Sequence, residues 1–190
     1  MQSLSNKRVR SGFAGIIFAL ALTGLPLQQA SAASRAAIDK EVSAALKQLY
    51  AKNPAAKDLG AKAKAILVFP SVWKAGFIVG AQGGNGALRK GGKTVGYYNV
   101  AAASYGLQAG AQQFGYAMFL MSDGALESLS SASGLEIGVG PTVVVVDQGV
   151  AQTFSTMSAR SDIYAFVFSQ RGLMAGLGLQ GNRIAKVPRR

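Results

Sequence analysis

The chain contains no histidine and no cysteine. Thiol catalysis, disulfides, metal sites built on His or Cys, and a histidine-assisted serine nucleophile are therefore excluded. What remains for chemistry is a set of basic side chains, eight carboxylates and a recurrent glycine–glutamine pattern. Gly92-Lys93-Thr94 has the ending of a phosphate-binding loop. That motif also requires glycine at position 87, which is alanine, and a following helix, whereas Val95–Val100 reads as a strand. Asp123 and Glu127 fall within one helical turn, but capping accounts for Asp123 without catalysis. No pair of groups stands at a spacing that asks for acid–base work. The expectation is a protein that is not an enzyme and uses no metal and no cofactor.

The basic groups point to association instead. The formal net charge is +12, and such a surface favours anionic partners. Lys40, Lys47, Lys74, Arg89, Lys90 and Lys93 are the expected contacts to an anionic phospholipid surface. Each basic side chain near such a surface contributes about 1 kcal/mol, screened within a Debye length. Trp73 is the only tryptophan and stands beside Lys74. It could plug the core or anchor an edge. It could also seat at a lipid interface, which favours an amphipathic ring. Nucleic acid is not an expected partner, because no reading motif accompanies the charge.

A second pattern occurs three times, in Val79-Gly80-Ala81-Gln82, Ala109-Gly110-Ala111-Gln112 and Leu177-Gly178-Leu179-Gln180. In a strand each would place Gly and Gln on one face, with a further glycine ahead on that face at Gly76, Gly106 or Gly176. Glycine within a strand costs about 0.5–1 kcal/mol relative to alanine, so something must approach the backbone there or the sheet must bend. Gly80, Gly110, Gly176 and Gly178 are the expected close-packing positions. One reading is that these strands curve around one another, with the glutamines hydrogen-bonded or solvated. The other is a ligand-facing groove floored by glycines.

The elements that would carry these residues follow from periodicity. Residues 1–32 read as a secretory signal peptide, with basic Lys7, Arg8 and Arg10, an apolar Gly12–Leu25 and small residues Ala30-Ser31-Ala32 at a cleavage site. The alternative is an uncleaved anchor. No cysteine follows the apolar stretch, so a lipoprotein is not expected. Residues 33–190 form the single expected domain, exported to the periplasm or cell envelope. Ile38, Val42, Ala45, Leu46 and Leu49 make the apolar stripe of a helix over Ala36–Lys52. Asn53-Pro54 caps a second helix reaching about Lys64. Ala65–Phe69 is a strand ended by Pro70, followed by a turn into Phe77–Gln82 and a loop at Gly83-Gly84-Asn85-Gly86. Gly91-Gly92 is a hairpin turn. Tyr105–Gln113 and Gly115–Met121 are further strands, and Asp123 caps a short helix ended at Gly134. Thr142–Val146, Val150–Phe154, Ile163–Phe168 and Leu173–Gln180 complete the sheet. Ile163–Phe168 is apolar on both rows and is expected to be covered on both faces. The fold class is α+β, a strongly curved, mainly antiparallel sheet of about eight to ten short strands, covered by N-terminal helices with one inserted short helix.

Several of these segments together resemble the SYLF-domain family, lipid-binding domains also known from yeast actin-patch regulators. They are Ala65-Ile66-Leu67-Val68-Phe69-Pro70-Ser71-Val72-Trp73-Lys74-Ala75-Gly76-Phe77, Gly106-Leu107-Gln108-Ala109-Gly110-Ala111-Gln112, and Phe168-Ser169-Gln170-Arg171-Gly172-Leu173-Met174-Ala175-Gly176 through Leu179-Gln180-Gly181. Gly138-Val139-Gly140-Pro141 and Asp162-Ile163-Tyr164-Ala165 also fit. The resemblance implies binding of phosphoinositide-containing membranes and, in fungal members, of actin filaments. The chain is most similar to exported bacterial members, for which the resemblance implies the fold and a tendency toward anionic lipid. The functional expectation is a non-enzymatic envelope protein on anionic lipid. The alternative is a structural or protein-interaction module.

Overall fold

The computed structural model describes residues 35–146 (104–109 by their backbone alone), 161–172, 179 and 181–188. The leader, Val150–Phe154, Gly176 and Gly178 lie outside the described residues.

Two helices open the domain. α1 (Arg35–Lys52) buries Ile38, Val42, Ala45 and Leu49 of the expected stripe, and its fifth member, Leu46, is part-buried against the same core. α2 (Pro54–Lys62) begins where Asn53 Oδ1 accepts the Ala56 N–H at 2.9 Å, with Pro54 at the helix start. A third helix, α3 (Asp123–Ser130), is capped by Ser122 rather than by Asp123: the Ser122 hydroxyl accepts the Ala125 N–H at 3.2 Å. Asp123 instead forms an exposed ion pair with Lys64 at 2.6 Å.

The strands among the described residues are β1 (Ala65–Lys90), β2 (Lys93–Leu120), β3 (Leu135–Glu136), β4 (Val143–Val146), β5 (Ile163–Gly172) and β6 (Arg183–Lys186). They form one strongly curled, mixed half-barrel sheet. Its order is β3-β6-β2-β5-β4, with β1 added on β2. Only the β4–β5 pairing is parallel. β1 and β2 are single long strands joined by a turn in which Gly91 and Gly92 both have positive φ, as a two-residue hairpin turn of this hand requires. Pro70 interrupts the ladder with an irregularity but does not end the strand. Gly83–Gly86 is strand, not loop, and pairs with Ala101–Tyr98. The segments that read as separate short strands are thus parts of one hairpin held in register by its partner.

The sheet's two faces carry two cores. Inside the curl, Leu67, Phe69, Val72, Leu88, Tyr98, Phe114, Tyr116 and Met118 pack with Leu129 of α3 and Ile163 of β5. Outside, Val68, Ala87, Ala117, Phe119, Tyr164 and Phe166 pack under α1 and α2. Ile163–Val167 is therefore buried on both rows, as expected. β4 is less covered than its β-branched sequence suggests: Val145 is exposed. Asp162 joins the strands to α3, accepting from the Ser122 hydroxyl at 2.8 Å and from the Thr142 N–H and hydroxyl at 3.0 and 2.9 Å. These hydrogen bonds, Ser122's first, hold its carboxyl below the usual range.

Candidate functional site

The long hairpin doubles back at its middle. Ile78 has φ +66°, and the β1–β2 register jumps between Phe77 and Val79. A non-glycine, β-branched residue in that region marks a bend imposed by the surrounding structure. As a result the two halves of β1 run back alongside each other. A Cβ on Gly84 would sit 2.7 Å from the Ser71 carbonyl oxygen and 2.8 Å from Val72 Cγ2. One on Gly76 would fall onto the Cα of Gly80. Only the missing side chains permit that approach.

The bend makes an apex with an unusual surface. Trp73 is 54% exposed, Phe77 74%, Ile78 44% and Val79 62%. Four of the seven large apolar residues exposed among the described residues thus lie within seven positions of the chain. Isolated exposed apolar residues are ordinary, whereas a cluster marks a contact surface. Trp73 lies on the outer face, its ring over Gly83, where a Cβ would come 3.1 Å from Trp73 Cζ2. It is neither a core plug nor a turn residue but an exposed strand residue next to the bend.

Lys74 is the one expected lipid contact at the apex. It is part-buried, on the inner face between exposed Trp73 and Ala75. Its cross-strand partner is Gln112. Gln82 and Gln112 are 6% and 4% exposed. The Gln82 Nε2 and both polar atoms of the Gln112 amide have no hydrogen-bond partner. The expectation that these glutamines are hydrogen-bonded or solvated is thereby corrected: the curl draws them inside the sheet without supplying partners. Gly80 is buried and Gly110 exposed, and Gly110 pairs with Gly76.

The other expected contacts gather at the opposite end. Lys90 and Lys93 pair across the hairpin tip and are exposed. Lys47 and Arg89 line a cleft of about 630 Å³ with Tyr50, Gly60, Ile66 and Gly91. Lys40 is exposed on α1. Arg89 is not a free cation. Its guanidinium donates to the Asp39 carbonyl at 2.9 Å and the Ser43 hydroxyl at 2.8 Å, fastening the tip to α1. Asp39 completes the clasp, accepting from Thr94 Oγ1 at 2.6 Å and from the Tyr97 hydroxyl at 2.8 Å. Burial works against its charge, but these hydrogen bonds and Arg89 outweigh it and hold the carboxyl below its ordinary range. The same bond to Asp39 pushes the Tyr97 phenol up. Eight residues of strand separate Lys74 from Ile66 at the cleft, about 25 Å along the sheet. The six expected cations thus fall into a tip group and Lys74 alone.

What the sequence reading missed is the apex. Phe77, Ile78 and Val79 read as the start of an ordinary strand, and nothing local marks the bend that exposes them. Residues 101–188 match the family model described as Ysc84, a Las17-binding protein actin regulator. The SYLF resemblance is thereby shown over that part of the chain. No curated protein matches the chain. The SYLF-like stretch runs from the ninth residue of β2 through β6, so it includes Gly110 and Gln112. Trp73–Val79 precede it in sequence, on the strand that pairs with it. The SYLF domain is an interaction domain for lipid or protein rather than a known enzyme family. Among the described residues no cluster of His, Cys, Asp or Glu could hold a metal ion, and no helix is long and apolar enough to cross a membrane.

Proposed function

We propose that the protein is a non-enzymatic, exported envelope module that associates with anionic membrane surfaces through the apex of its doubled hairpin. The observation that carries this is the exposed apolar cluster Trp73, Phe77, Ile78 and Val79 with Lys74 beside it. An aromatic ring with a polar N–H, flanked by aliphatic groups and a lysine whose stem is part-buried, suits the boundary between head groups and acyl chains. The basic excess of the chain favours anionic over neutral lipid. The tip cations Lys47, Lys90 and Lys93, with Lys40, stand too far from the apex to share one small contact and would act on the surface only at long range, within the limit of screening.

The test is co-sedimentation of residues 33–190 with vesicles with and without phosphatidylglycerol, across salt. Binding to anionic vesicles that weakens but persists at high salt supports insertion of an apolar apex. Absence of binding at every salt concentration removes the proposal. The family description, a Las17-binding actin regulator, favours a second reading in which the same apex seats a protein segment. Self-association or capture of a protein by the wild type, lost on changing Phe77, would support that reading instead.

A further inference from the structure

The cleft at the tip end of the hairpin is a site of a different kind from the apex. It opens where α1 crosses the strands. The Tyr97 hydroxyl of β2 donates to Asp39 at 2.8 Å, and the Arg89 guanidinium of β1 donates to the Ser43 hydroxyl at 2.8 Å. Further along α1 the Tyr50 ring packs on Phe119 of β2, with centroids 6.4 Å apart. The cleft of about 630 Å³ runs beside α1 from Ser43 to Tyr50, a helical distance of about 10 Å. Small-molecule sites have volumes of that order and are mostly apolar, with a few placed polar groups.

The lining changes character along that length. The Ser43 end is polar, with Arg89 beside it and the Gly91-Gly92 turn fastened by an Arg89 donation to the Gly92 carbonyl at 3.2 Å. Leu46 and Ile66 line the middle, and the Tyr50 end is closed by Gly60, Ala61 and Ala63. The Tyr50 hydroxyl rests against the bare backbone of Gly60, where a Cβ would collide with it. Burial pushes the Tyr50 phenol up, which keeps that end uncharged. Arg89 has its charge met by Asp39, 3.8 Å away. Lys47 lies one turn beyond Ser43, is exposed and belongs to neither ion pair found among the described residues, Lys64–Asp123 and Arg89–Asp39. No carboxylate is among the described residues that line the cleft. One unmatched positive charge therefore stands over an apolar channel. A lysine is a point charge without the fork that grips a dianion, so its complement is a single negative charge on an apolar body.

We propose that the cleft between α1, α2 and the hairpin tip binds a medium-chain fatty acid. The carboxylate accepts from Lys47 Nζ, and the acyl chain lies along Leu46 and Ile66 toward Tyr50 and Ala61. Each further methylene that stays within the channel tightens binding about threefold to fourfold, until the chain reaches Tyr50. The site goes beyond the membrane reading and is independent of it, because none of its residues belongs to the apex.

The experiment titrates residues 33–190 with octanoate, hexanoate and uncharged octanol, all below any micelle concentration, and follows the backbone amide resonances. The variants are Lys47→Met, which keeps an apolar stem and removes the charge, and Ala61→Leu, which fills the apolar end. Both positions are exposed, and circular dichroism shows that each variant is folded. The proposal expects saturable octanoate binding with shifts at Gly60, Ala61, Gly91 and Gly92. Lys47→Met should weaken octanoate about fivefold and leave octanol unchanged. Ala61→Leu should weaken octanoate at least threefold and hexanoate less, because leucine takes the place of the last methylenes. No saturable octanoate binding to the folded wild type, shifts confined to Trp73–Val79, or octanoate binding that either folded variant leaves unchanged overturns the proposal. Vesicle binding plays no part in these readouts, so its failure would remove the membrane reading and leave the cleft.

Discussion

Phe77 is the residue on which the membrane reading is most exposed to refutation. It is 74% exposed and packs against little, so replacing it by serine should change stability by no more than about 0.5 kcal/mol. Its contribution to insertion is larger. Fully burying an exposed phenylalanine side chain gains about 1.5–3 kcal/mol. Scaled by the exposed share, insertion of Phe77 is worth about 1–2 kcal/mol, which is roughly 5–30-fold in partition coefficient. The assay is sedimentation of Phe77→Ser with anionic vesicles over a range of lipid concentrations, beside a urea titration that confirms unchanged stability. Val95 is also exposed, but at the hairpin tip, and Val95→Ser is the matched control. If Phe77→Ser partitions like the wild type, or if Val95→Ser loses as much, the apex does not insert and the reasoning fails.

Other outcomes follow from the same geometry. Reversing both tip lysines, Lys90→Glu with Lys93→Glu, should alter partition at physiological salt by less than about twofold, because roughly 25 Å of sheet is more than two Debye lengths. Acid should loosen the clasp of α1 on the hairpin. The Asp39 carboxyl is depressed below its ordinary 3.8, so its stabilisation is complete above that value and is lost as pH falls through the lower folded value. Asp39→Asn should remove this acid-side dependence and, given partial exposure, cost about 1 kcal/mol at pH 7 by urea denaturation. Tyr116→Phe should be neutral or stabilising by up to about 1 kcal/mol, since its fully buried hydroxyl has no partner and burial pushes the phenol far up. Gly84→Ala should destabilise by about 1–3 kcal/mol through forced separation of the two halves of β1.

The parts of the fold that were legible in the sequence are those fixed by neighbours in the chain. The stripe Ile38, Val42, Ala45 and Leu49, the Asn53-Pro54 start and the Gly91-Gly92 turn each follow from local geometry. The double row of Ile163–Val167 announced a strand covered on both faces because no other arrangement hides both rows. The glycine pattern pointed to close backbone approach, which Gly76 makes on Gly80, but it was ambiguous about form. Gly83-Gly84-Asn85-Gly86 has the composition of a loop, yet it pairs with Ala101–Tyr98, because its glycines serve the contact with Val68–Trp73 rather than a turn. That contact joins residues ten or more apart and depends on the bend at Ile78, which no local propensity encodes. The candidate site was therefore only half legible. Its lysines could be named, but their division between tip and apex, and the exposure of Phe77–Val79, arise from how the hairpin folds on itself.

The lone tryptophan supplies the sharpest test. Trp73 emission, followed while residues 33–190 are mixed with anionic vesicles carrying brominated acyl chains, reports directly whether the apex meets the bilayer. The account predicts a blue shift and strong quenching that high salt only partly reverses. Emission unchanged in wavelength and intensity, while the protein nevertheless sediments with the vesicles, would show that another surface makes the contact.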